Sequence, residues 1–131
     1  MNGFFTEAEV AAKPALRSCG CGACRLHKEC RSPRMPAQGR GERDILVVAD
    51  APSIIDDRQD LLFCGDAGVF LRKKMKALGV DLDRDCVSVP AISCCPGDRA
   101  PTADEVDYCR SRVWKEIQEF QPKLIILLGD S

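Results

Sequence analysis

The sequence has no apolar run long enough to cross a membrane: the longest, Leu124 to Leu128, is strand-sized, against the ~20 residues a spanning helix needs. It has no excess of charge of either sign. Its 19 Lys and Arg nearly balance 20 Asp and Glu, so no overall field points to nucleic acid and any basic surface must be local. Internal repeats, low-complexity tracts and a charged-then-apolar leader with a cleavage site are also missing. Nine cysteines cannot all pair with one another. Full disulfide pairing is thereby excluded, and a reducing compartment, cytoplasmic or nucleoid-associated, is expected rather than secretion. At 131 residues the chain suits one domain able to bury a core without disulfides.

What is present is organised around Cys21-Gly22-Ala23-Cys24. Two thiolates on a tight C-x-x-C turn grip one side of a metal centre, and Cys94 and Cys109, far downstream, can close it from the other. Such a four-thiolate site suits an iron–sulfur cluster or zinc, and spacing alone does not choose between them. A local set, Cys19, Cys21, Cys24 and Cys30, is the competing zinc site. A redox dithiol of Cys21 and Cys24 fits the motif but not its place. In thioredoxin-like folds such a pair follows a strand and opens a helix, whereas here it precedes the first strand. Between Arg25 and Arg43, the basic residues Arg25, Lys28, Arg31, Arg34, Arg40 and Arg43 face only Glu29 and Glu42. That loop is either a phosphate-tracking surface beside the metal or an ordinary solvated one.

Taken in order, residues Thr6 to Arg17 carry a weak helical pattern cut by Pro14, followed by a Gly-, Pro-, Cys- and Arg-rich loop from Cys19 to Arg43. Asp44 to Ala49 is a continuous β-branched and apolar run, the signature of a strand buried on both faces of a parallel sheet. It is followed by Asp50-Ala51-Pro52-Ser53 and a polar loop, at the sheet edge where ligands of parallel sheets sit. Ala67 to Leu78, with Gly79 after it, reads as a crossover helix. Cys86 to Ile92 is a weaker strand that Pro90 limits, and Thr102-Ala103-Asp104-Glu105 is a capping box opening a helix through Val106, Cys109, Val113, Ile117 and Phe120. Lys123 to Gly129 reads as a third buried strand. Ser131 stands where a helix N-cap would come, so the sequence reads as the N-terminal part of a larger protein or a shortened one, with exposed apolar surface on the last strand as the sign to look for.

Five segments in this order carry a resemblance. They are the C-x-x-C-x-L run Cys21 to Lys28, the strand and loop Asp44 to Ser53, the turn Phe63-Cys64-Gly65-Asp66-Ala67-Gly68, Cys94 in Ser93-Cys94-Cys95-Pro96, and Arg99-Ala100-Pro101-Thr102 with Glu105 and Cys109. Together they resemble the iron–sulfur uracil-DNA glycosylases called family four, within the uracil-DNA glycosylase superfamily. The resemblance implies a three-layer α/β/α sandwich around a short parallel sheet, with three of about four strands present. It divides the chain into a lead-in helix over residues 1–20 and the domain proper over 21–131. It implies a structural 4Fe-4S cluster on Cys21, Cys24, Cys94 and Cys109, with Cys94 preferred over Cys95 by position, and leaves Cys64 and Cys86 as buried structural thiols.

The same resemblance marks Asp50, where the family has Glu, and Asp56, where it has another acidic residue in the same loop, as candidate catalytic carboxylates, each side chain one methylene shorter. It marks Ala51, Pro52, Ser53, Phe63 and Pro90 as the candidate substrate-binding set, with Phe63 as the ring on which an extruded base stacks. Pro90 departs most from the pattern. It stands where the family carries the Asn that reads the uracil edge, and proline offers neither a side-chain donor nor a backbone N–H. The family's His-bearing loop would fall beyond Ser131. Two functions therefore compete: a DNA- or replication-partner-binding iron–sulfur domain with uracil excision weakened or lost, as at the N-termini of some phage-type DNA polymerases, and a glycosylase of altered base preference.

Overall fold

The computed structural model describes residues 21–129; the expected helix from Thr6 to Arg17, and Cys19, lie outside them. Strand β1, Ile45–Ala49, is buried at every position. Alternation sends Ile45 and Val47 to one face, where they pack with Leu82, Cys86, Met75 and Ile126, and Leu46 and Val48 to the other, against Val89, Val113, Ile117 and Phe120. A strand with an apolar layer on each side reads as an unbroken apolar run, as this one does.

Both neighbours are parallel to β1. Strand β2, Cys86–Pro90, and strand β3, Leu124–Leu127, flank it in the order β2-β1-β3, with Ile45 opposite Cys86 on one side and Leu124 on the other. Parallel neighbours need crossovers, and helices supply them. Helices α1, Ile54–Gln59, α2, Asp66–Ala77, and α3, Leu82–Asp85, connect β1 to β2, and α4, Ala103–Phe120, connects β2 to β3. Met75 of α2 and Leu82 of α3 pack on one sheet face and Val113, Ile117 and Phe120 of α4 on the other, giving the expected three layers.

Three local expectations are corrected, and one short helix, α3, joins the elements read from the sequence. The polar loop after Ser53 is helix α1, because Ser53 caps it and Asp56 returns the cap, with Asp56 N donating to Ser53 Oγ at 3.1 Å and Ser53 N to Asp56 Oδ2 at 3.2 Å. Helix α3 is a single turn, too short for periodicity to reveal. It is held by the Asp81 side chain, which accepts from the amides of Asp83 and Arg84, and by buried Asp85, whose Oδ2 accepts from Asp81 N at 2.8 Å. Cys64 is half-buried rather than buried, and its thiol donates to Asp56 Oδ1 and Leu61 O. Strand β3 is not a third buried strand. It is a sheet edge on which Leu124, Ile125 and Leu127 are exposed, Leu127 at 74%, since no described element covers its outer side.

The outer edge of β2 is covered by the cysteine-rich loop. Gln38 and Ser88 exchange main-chain hydrogen bonds of 2.9 and 2.7 Å as an antiparallel bridge. Beyond Pro90 the ladder persists without regular strand geometry, with Ala91 N donating to Ala49 O at 2.7 Å and Ile92 N to Asp50 O at 3.2 Å. The tail of β1 is thus tied to the segment that leads into Cys94.

Candidate active-site cleft and thiol cluster

The C-terminal end of β1 opens into a cleft of about 700 Å³ lined by Asp50, Ala51, Ser53, Phe63, Phe70 and Gly129 among others. Asp50 Oδ1 is buried and has no hydrogen-bond partner among the described residues. Gly129, just past β3, packs so closely that a Cβ there would lie 2.7 Å from Asp50 Cβ. Asp50 also lines a smaller cleft of about 390 Å³ with Pro101, Val106, Asp107 and Arg110. Asp50 is therefore common to the linings of both clefts.

Phe63 sits in the left-handed region at φ 58°, an uncommon conformation for a bulky side chain. Three contacts hold it there. Arg72 donates Nε to Phe63 O and Nη2 to Leu62 O, both at 2.9 Å. Asp56 Oδ1 accepts Cys64 N at 3.0 Å. Gly68 comes so close that an added Cβ would lie 2.3 Å from the Phe63 main chain, which explains the glycine at the end of the Phe63–Gly68 motif.

Asp56, the second candidate catalytic carboxylate, accepts hydrogen bonds on both oxygens. Its oxygens join the cap of α1 to the Phe63 turn. Burial pulls its carboxyl upward, but hydrogen bonds from the Cys64 thiol and amide and from Ser53 outweigh it and hold the group below its ordinary value. Of the expected substrate-binding set, Ala51, Ser53 and Phe63 line the larger cleft. Pro52 is buried outside that lining, and Pro90 is fully buried in β2 opposite Ala49. No described residue lining the cleft carries an amide side chain, and the one Asn in the sequence is Asn2.

The second feature is a cluster of thiols. Cys94 and Cys109 are buried with Leu26 and Ile92, and Cys24 and Cys30 pack against the same core. Cys24 and Cys30 flank a 3-10 turn, Leu26–Lys28, which buries Leu26. Cys94 Sγ accepts from Arg34 N at 3.3 Å. Burial pushes the Cys109 thiol up, and burial followed by Cys94 and Asp57 pushes Cys30 up to about 11. Cys21 is exposed, with Arg112 Nη1 4.0 Å from its sulfur. Among the described residues no three Cys, His, Asp or Glu side chains converge at metal-binding spacing. The donor chemistry nevertheless fits a thiolate-held metal or cluster: soft sulfurs, an apolar lining and main-chain N–H groups directed at sulfur. Asp57, which the sequence did not single out, ties this loop to α1 by accepting from Arg31 N at 2.9 Å and Ser32 N at 2.8 Å.

The family model described as the uracil DNA glycosylase superfamily matches residues 36–131. The chain belongs to the uracil-DNA glycosylase superfamily. Among its relatives, a type-4 uracil-DNA glycosylase of Sulfurisphaera tokodaii is 31% identical over 111 residues, covering 83% of this chain and 50% of that protein. A type-4 uracil-DNA glycosylase of Archaeoglobus fulgidus is 30% identical over 111 residues, covering 83% and 54%. A DNA polymerase of Bacillus phage SP01 is 29% identical over 104 residues, covering 79% of this chain and 11% of the polymerase. The chain spans about half the length of these type-4 relatives. No helix among the described residues is long and apolar enough to cross a membrane. At the end of β1, the described lining of the larger cleft holds the Phe63 ring and the Asp50 carboxylate and no amide side chain.

Proposed function

We propose that this chain is an iron–sulfur domain of the glycosylase superfamily that binds single-stranded or uracil-containing DNA and takes an extruded base into the larger cleft, with uracil excision weakened or lost. The observation that carries this is Pro90. Reading a flipped base calls for a stacking surface, a hydrogen-bonding edge reader and a group to meet the charge that develops on the sugar. Phe63 supplies the first, held in place by Arg72 and Gly68. Asp50 supplies the last. The reader's position is filled by a buried proline, so a base is held by stacking without its edge being read.

Cys24, Cys94, Cys109 and a fourth thiolate from the N-terminal loop, Cys21 in the family pattern, would hold the 4Fe-4S cluster. When bound, the cluster supplies a rigid anchor rather than chemistry at the base. The chain's own residues do the rest. The Cys94 segment is laddered to the tail of β1, so fixing the thiols fixes Asp50. Exposed Arg25, Lys28, Arg31 and Arg34 lie on the same loop as Cys24 and Cys30, available to DNA phosphates. Similarity to part of a phage polymerase supports a setting in replication, with a polymerase or another replication protein as partner, in the cytoplasm or at the nucleoid.

The unpartnered Asp50 Oδ1 favours one second reading, a glycosylase for uracil or another damaged base in which Asp50 positions water or stabilises the oxocarbenium-like state. Anaerobically prepared chain and its Asp50→Ala variant, given a uracil-containing single-stranded oligonucleotide, separate the two. Binding by fluorescence anisotropy, with no uracil release above the variant's background in single turnover, is the expected result. Release that falls by ~100-fold or more in Asp50→Ala establishes the glycosylase instead, and absence of DNA binding removes both.

A further inference from the structure

Two aromatic rings line the larger cleft, Phe63 half-buried and Phe70 63% exposed on its solvent side. The two belong to one rigid piece. Gly68 lets the first turn of α2 close on the Phe63 main chain, and Arg72, a turn further on, binds the carbonyls of Leu62 and Phe63. Phe70 lies between those two attachment points. Its place relative to Phe63 is therefore set before any ligand arrives.

An exposed ring alone says little, since single apolar side chains are common on protein surfaces. The surroundings of this one are informative. Exposed Lys73 and Lys74 follow it at the i+3 and i+4 positions, and Lys74 Nζ lies 5.3 Å from the centroid of the Phe70 ring. The centre of a protein-covered patch is depleted of lysine, whereas here a lysine sits over the ring itself. Within the cleft the charge reverses: Asp50, Asp56, Asp66 and Asp98 line it, and Lys74 is the one cation among the described lining residues. Such a lining repels phosphate and admits an uncharged ring. Single strands are held by this combination, with bases stacked on aromatic side chains and the backbone tracked by cations.

We propose that Phe70 is a second stacking platform, which takes the base next to the extruded one in a single strand of DNA, with Lys74 meeting the phosphate between them. This rests on the DNA-binding reading above and deepens it. Phe63 takes the extruded base, Phe70 takes its neighbour, and the strand is gripped over two nucleotides without either edge being read.

The test uses the anaerobically prepared full chain and single-stranded oligonucleotides that carry one uracil with 2-aminopurine, a fluorescent adenine analogue, on its 5′ or its 3′ side. Binding is read by anisotropy of a terminal dye, and stacking by quenching of the 2-aminopurine. Wild type is expected to hold the probe quenched on one of the two sides. Phe70→Ala should release that quenching and weaken binding roughly 5- to 100-fold, with an unchanged far-UV circular dichroism spectrum because the ring is exposed. Phe70→Tyr should restore both, and Phe70→Leu, which keeps apolar bulk without a ring, should restore neither. Lys74→Gln should lower the slope of log affinity against log salt by ~0.7. Wild-type affinity and quenching in Phe70→Ala, full rescue by Phe70→Leu, or an unchanged slope in Lys74→Gln overturns the proposal and leaves DNA binding in the cleft intact. Loss of self-association in Phe70→Ala, seen by sedimentation with DNA affinity unchanged, also overturns it and makes the ring a contact between copies of the chain. A wild-type chain that binds no single strand overturns the DNA-binding reading, and this platform with it.

Discussion

Phe63 holds a backbone conformation that costs on the order of 1–3 kcal/mol, and such strain persists only where surrounding structure over-determines it. Here Gly68, Arg72 and the Asp56 carboxylate do so. Gly68→Ala should therefore destabilise the fold by about 1–3 kcal/mol, read as a lower urea midpoint at unchanged slope, and should weaken DNA binding in parallel. Position 63 was legible in the sequence from its place in the motif. The clamp was not, because Arg72 reaches the Phe63 carbonyl across a turn and reads in the sequence as one more surface cation on a helix. Three carboxyl groups predict acid sensitivity. Hydrogen bonds from the Cys64 thiol and amide and from Ser53, opposed by burial, depress Asp56. The Arg99 guanidinium depresses Glu105, and the Arg84 guanidinium with the Asp81 amide holds Asp85 at about 2. A carboxyl group depressed in the folded state binds fewer protons than its unfolded counterpart, so its contribution is present above the unfolded value and fades as pH falls toward the folded one. Urea midpoints should hold from neutral pH to the ordinary carboxylate range and then drop toward pH 2, and Asp85→Asn should flatten the lowest part of that drop.

At the scale of elements, the two capping boxes show what local sequence conveys. Thr102 and Glu105 close α4 reciprocally, Arg99 adds a bidentate pair to Glu105 at 2.6 and 3.0 Å, and the Thr-x-x-Glu spelling announced it. Ser53 and Asp56 do the same for α1, but with Asp at the third position and only six residues to cap, the pattern passed for a loop. Thr102→Ala should cost ~1 kcal/mol by thermal or urea denaturation. It should leave the visible spectrum of a reconstituted cluster in place, because Cys109 is fixed by packing on Leu26 and Ile92 as well as by its helix. The strands divide in the same way. An apolar pentad at Ile45–Ala49 and an apolar run at Leu124–Leu127 spell nearly the same word, and only tertiary placement makes one central and the other an edge. The ladder beyond Pro90 was equally hidden, since proline marks the end of regular strand geometry without ending the pairing.

At the scale of the whole molecule, three apolar clusters among the described residues share the work: one on each face of the sheet and one around the thiols. Exposed Leu124, Ile125 and Leu127 form a continuous apolar edge on β3, so the isolated chain should self-associate in a concentration-dependent way. Light scattering or sedimentation should detect this, and Leu127→Lys should suppress it without lowering the melting temperature. The position of β1 has a consequence for synthesis. The strand buried most completely on both faces is made first, and its second partner emerges about 80 residues later, a wait of roughly 4–16 s at ordinary translation rates. For about the first half of that interval, until β2 emerges, Ile45–Ala49 has no partner, and until β3 follows one of its edges stays open on the nascent chain, so the yield of folded protein becomes a race between the ribosome and aggregation.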